Sequence, residues 1–117
     1  MKTDFEKWLA AQFADTGAFT IFIVLVRTSG EQVAAVKSTY AQMIGDDMSW
    51  VQMVALLDGA RTSWDAVAFF VGLGAGGPLI DSVARNKLRD IEASVTADPL
   101  ALNRGMFFDR DRKSTRL

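Results

Sequence analysis

A chain of 117 residues, half of them hydrophobic and 23% charged, suffices for one domain with a continuous core, is short for two, and lies far from the composition of disordered proteins. It contains no histidine and no cysteine, which removes imidazole bases, thiolate nucleophiles, disulfides and the usual zinc ligand sets. The formal charge of −1 is uneven: residues 1–103 hold 8 basic and 12 acidic side chains, residues 104–117 hold 5 and 2, a basic end on a mildly acidic body rather than a nucleic-acid-binding face.

Thr3 and Glu6 stand at capping-box spacing, Phe5, Trp8, Leu9 and Phe13 recur on one helical face, and Gly17 supplies a stop, which predicts an amphipathic first helix. Residues 18–27 are dense in β-branched and aromatic side chains without a 3.6 period, so the next element is a strand buried on both faces and central in its sheet. Ser29 and Gln32 repeat the cap spacing, and Val33, Val36, Tyr40, Met43 and Ile44 mark one face before Gly45, predicting a second helix. Ser49 and Gln52 repeat it again, opening a short helix of Trp50, Met53, Val54 and Leu57 that Gly59 ends.

Residues 61–63 form a loop and residues 65–71 a second buried strand. Beyond a glycine-rich loop, Pro78 suits a first helical turn, and Ile80, Val83, Ala84, Leu88, Ile91 and Val95 carry the longest helix to about Ala97. Asp98-Pro99 breaks it. Leu100-Ala101-Leu102 then reads as a short strand, Asn103-Arg104-Gly105 as a turn and Met106-Phe107-Phe108 as a returning strand, with residues 109–117 either continuing it or fraying. The expected order is α-β-α-α-β-α-β-β: one α+β domain over residues 1–117, in two or three layers. Its sheet is expected to be mixed, about four strands with helices packed on it, the first two strands parallel across a helical crossover and the last two an antiparallel hairpin.

The loop over residues 72–77 concentrates four of the nine glycines between a strand and a helix, where backbone amides can cradle an anion. Gly72, Gly74 and Gly77 satisfy the dinucleotide-binding G-x-G-x-x-G pattern, with Asp98 beyond it. Against that reading, Asp98 precedes its strand, Pro78 has no N–H, no basic residue lies between Gly72 and Asp81, and no strand-helix series remains to complete a nucleotide half. Candidate ligand contacts are Gly72, Gly74, Gly76, Gly77 and Asp81, and any proton transfer falls to Asp65, Asp81 or Lys87, since no imidazole is present.

Asp46-Asp47 and the acids of Asp109-Arg110-Asp111 fall short of a cation ligand set, so no metal or cofactor is expected. Met106, Phe107 and Phe108 beside Arg104, Arg110, Arg112, Lys113 and Arg116 could stack on bases, but charges flanking a hydrophobic edge strand serve equally to prevent aggregation. Trp8 and Trp50 read as core anchors; Trp64, Phe107 and Phe108 are the candidate partner contacts. The residues after Met1 lack an export-signal pattern and the longest apolar run is far short of a membrane span, so the expectation is a soluble, cytoplasmic protein. The leading functional expectation is a non-catalytic module that binds protein, most simply a second copy of itself; the alternative is a nucleotide- or anion-binding domain using the 72–77 loop.

Overall fold

Two of the three cap signals form as read. In the computed structural model, which describes residues 3–29, 32–74 and 76–109, α1 (Asp4–Thr16) opens on Thr3, whose Oγ1 accepts from the Glu6 N–H at 3.2 Å while Glu6 Oε1 accepts from the Thr3 N–H at 3.3 Å. It closes on Gly17 at φ 72°, a conformation that glycine adopts without a Cβ penalty. Ser49 and Gln52 form the same reciprocal pair at the start of α2 (Trp50–Asp58), and Gly59 follows its end.

The third signal does not make a helix. Residues 32–43 form a strand, β2 (Gln32–Met43), which turns back on β1 (Phe19–Ser29) as a long antiparallel hairpin, Phe19 opposite Met43 and Thr28 opposite Val33. The physical reason is a β-bulge at Val36: Leu25 pairs with Lys37 and Val26 with Ala35, so one residue of β2 is skipped. A bulge reverses the phase of alternation. Val33 therefore packs on the same face as Tyr40, with Met43 on the other, and a strand whose apolar residues change phase imitates a spacing of three and four.

After α2 the chain enters β3 (Ala66–Gly72), which lies antiparallel against the other side of β1, Phe22 opposite Phe70. α3 (Asp81–Ala97) is the longest helix and ends where its pattern predicts. The expected strand at Leu100-Ala101-Leu102 is instead a 3-10 helix over Pro99–Arg104: Pro99 occupies its first turn and Asp98 Oδ1 accepts from the Leu100 N–H at 3.1 Å, a local cap that wins over extension. β4 (Met106–Asp109) then pairs antiparallel with β3 rather than with a neighbouring hairpin strand. The sheet order is β2-β1-β3-β4 and every pairing is antiparallel, so the expected parallel first pair and mixed sheet are both replaced. With a strand in place of the predicted second helix, β1 returns through β2 and needs no crossover. The α+β class, a sheet of four strands and the packing of helices on it stand as predicted, although two of the elements are exchanged in kind.

Three layers result. On one face, Ile21, Ile23 and Leu25 of β1 and Val67 and Phe69 of β3 pack under Phe5 and Leu9 of α1 and Trp50, Met53 and Leu57 of α2. On the other, Phe22, Val24 and Val26 pack with Ala84, Ile91 and Val95 of α3 and with Leu102 of the 3-10 helix. β1 is therefore buried on both faces and central, as its composition predicts. Each fully buried Val, Leu, Ile, Phe or Met among these contributes about 1.5–3 kcal/mol.

Candidate functional site

The glycine loop is held mainly by itself and by the sheet. Gly74 N–H donates to Gly77 O at 2.6 Å and Gly77 N–H to Gly74 O at 3.4 Å, an antiparallel bridge between these two residues, with Gly77 at φ 121°. Leu79 N–H donates to Thr20 Oγ1 at 2.8 Å, Thr20 Oγ1–H to Gln42 Oε1 at 2.7 Å, and Gln42 Nε2–H to Leu79 O at 3.1 Å, a closed ring around the fully buried Thr20. Gly72 is buried: a Cβ there would lie 2.6 Å from the Phe22 ring and 2.8 Å from Leu79 Cδ1, so this glycine serves close packing. Asp81 is exposed and accepts from the Tyr40 hydroxyl at 3.3 Å. Gly76 is exposed with open space about its Cα. Three of the amides that could face an anion, those of Gly74, Gly77 and Leu79, thus donate within the protein.

The aromatic candidates lie in the core. Trp64 is buried and its Nε1–H donates to Asp58 Oδ1 at 3.0 Å, while Phe107 and Phe108 are buried on opposite faces of β4. Burial leaves none of the three an accessible ring. Trp8 lies stacked on Phe69 at 5.8 Å, with an interplanar angle of 12°, and Trp50 packs between Phe5 and Phe108, both anchoring the core as predicted. Asp65 Oδ2 accepts from the Thr28 N–H at 2.7 Å and its hydroxyl at 3.3 Å, fastening the start of β3 to β1. No cluster of three potential metal ligands occurs among the described residues. Arg110 and the rest of the basic tail lie outside them.

Two features were not singled out in the sequence. The first is the outer edge of β2. Of its twelve residues only Lys37 is charged, no proline occurs, and the Lys37 ammonium donates to Ala60 O at 3.2 Å, so the one cation is drawn across the sheet face toward the end of α2. Beside this edge runs an apolar groove of about 310 Å³ between β1, β2 and α2, with Ile23, Leu25 and Leu56 in its walls; Leu56 is 53% exposed. In the sequence its signal is a twelve-residue stretch with one charge, Lys37, whose apolar spacing of three and four imitates a helix. The second is a cavity of about 560 Å³ where β4 stops short along β3, framed by Phe70, Val71 and Met106 and rimmed by Lys87, Asp90 and Arg104. It joins residues too far apart in the chain for spacing to reveal.

Comparison with known protein families, with curated proteins and with solved structures yields no match, so function is argued from this geometry. No helix among the described residues is long and apolar enough to cross a membrane.

Proposed function

We propose that this protein is a non-catalytic interaction module that self-associates by pairing the outer edge of β2 with the same edge of a second copy. The observation that carries this reading is the run of residues 37–43 in β2, which lies past the bulge and whose one charge, Lys37, is turned toward Ala60 O. Protein sheets normally protect a long edge with charges, proline or a covering segment, because its unpaired N–H and C=O groups template pairing with another chain. β4, the opposite edge, has only four residues and is followed in sequence by Arg110, Arg112 and Lys113. β2 has twelve residues, and from Lys37 to Met43 it runs without a bulge. Antiparallel pairing of this run about a two-fold axis would satisfy its backbone groups and create a continuous eight-stranded sheet, and the groove with Leu56 supplies apolar area beside the seam. The alternative, an anion or nucleotide over residues 72–77, retains Gly76 as an exposed glycine but has fewer free amides.

Sedimentation velocity across a concentration series tests the proposal, with Thr39→Lys as the variant. Thr39 is exposed, and near a two-fold axis each introduced ammonium would face its copy. The expected result is a wild-type dimer and a monomeric variant of unchanged melting temperature. A wild type that stays monomeric when concentrated, or a variant as dimeric as the wild type, overturns it. A melting temperature raised by a nucleotide or inorganic phosphate would favour the loop reading instead.

A further inference from the structure

The sheet has a gap at the C-terminal end of β3. β1 pairs with β3 as far as Gly72, whereas β4 pairs with it only from Ala66 to Phe69. Gly105, just before β4, approaches so closely that a Cβ there would lie 2.4 Å from the Phe69 carbonyl oxygen, so that carbonyl is directed toward the β4 side. Strand groups repeat their direction every second residue, and the N–H and C=O of Val71 therefore point to the same side, past the start of β4, where the chain has already turned away as a 3-10 helix. The 560 Å³ cavity opens there, within the size range of small-ligand sites. Phe70 and Ile91 wall it from one layer and Trp8 from the other, and at its rim two exposed cations, Lys87 and Arg104, outnumber one exposed acid, Asp90.

We propose that this gap binds a short extended peptide segment bearing a carboxylate. The segment's backbone exchanges hydrogen bonds with Val71, an apolar side chain enters the cavity against Phe70 and Ile91, and the carboxylate meets Lys87 and Arg104. Pairing supplies affinity that does not depend on sequence, and the pocket and cations supply selectivity. The carboxylate belongs either to an Asp or Glu side chain or to a chain terminus; the recognising chemistry is the same. The site lies at the opposite edge of the sheet from β2, so it goes beyond self-association and does not depend on it.

The test is selection from a pooled hexapeptide library with free C-termini and from its C-terminally amidated counterpart, followed by fluorescence anisotropy on the enriched peptides. Expected are apolar sequences carrying an acid, weakened about ten-fold or more by Lys87→Glu or Arg104→Glu and by N-methylation of the pairing residue, with an amide NMR shift at Val71. Both substituted side chains are exposed, so the variants fold, which circular dichroism verifies. Enrichment surviving amidation assigns the carboxylate to a side chain, and enrichment lost on amidation assigns it to the terminus; either supports the proposal. No enrichment over a protein-free control, or undiminished affinity in the Lys87→Glu/Arg104→Glu double variant, overturns it. Thr39→Lys binds these peptides as the wild type does, so failure of self-association and failure of this site are separately visible.

Discussion

Glu6 joins two helices through one carboxylate. Its Oε1 closes the cap of α1, while its Oε2 accepts the N–H of Trp50, the first residue of α2, at 2.8 Å. The Trp50 bond, followed by those from Thr3, holds its pKa below the ordinary 4.5 against an opposing desolvation cost. A carboxyl group with a lowered folded-state pKa contributes stability that is fully present above pH 4.5 and is lost as pH falls through the folded value. Glu6→Gln is therefore expected to melt earlier at neutral pH and to lose part of the acid dependence, so that the two melting curves converge below pH 4.5; thermal denaturation by circular dichroism against pH measures this. Gly105 and Gly76 make a second contrast. At Gly105 a Cβ meets the Phe69 backbone, and Gly105→Ala is expected to cost about 1–3 kcal/mol by urea denaturation. At Gly76 a Cβ meets open space and φ is not positive, so Gly76→Ala is expected to be neutral or to stabilise by up to about 1 kcal/mol through the unfolded state.

At the scale of elements, local chemistry was legible wherever one residue type dictates one backbone outcome. Thr3 with Glu6, Ser49 with Gln52, Gly17 and Gly59 all act where the sequence places them, because caps need only neighbours within four residues. β1 was legible for another reason: a run of β-branched and aromatic residues has no polar face to turn outward. β2 was hidden by its bulge, which broke period-two alternation, and by a Ser29–Gln32 pair that copies a cap. The glycine loop reads as a place for an anion from composition alone, whereas Gly74 and Gly77 bond each other and the Leu79 N–H just beyond them goes to Thr20, more than fifty residues away. A bulged residue is an insertion, and deleting Val36 leaves every described pair of the hairpin in place, from Leu25 with Lys37 to Val26 with Ala35. That deletion is expected to change stability by no more than about 1 kcal/mol in urea titrations. Because bulges twist an edge away from partners, it is also expected to tighten self-association by sedimentation.

For the whole molecule, the sheet has two unlike sides. β1, and β3 as far as Phe69, are enclosed by strands and by both helical layers, so their amides open only with large-scale unfolding, whereas among the described residues no strand pairs with the outer side of β2. The proposed dimerisation through β2 and the proposed peptide capture at the β3 gap would act on opposite sides of this sheet, so their signatures in amide hydrogen exchange are expected not to overlap. Raising protein concentration is expected to slow exchange across the outer amides of residues 37–43 while Val71 is unaffected. Adding an acidic peptide selected for the gap is expected to slow Val71 and leave β2 unchanged. Exchange at β1 stays slow in all conditions, because neither event alters the core that covers it. Protection spread evenly over both edges on concentration would instead mean nonspecific aggregation, since a two-fold β2 interface leaves the β4 side of the sheet in solvent.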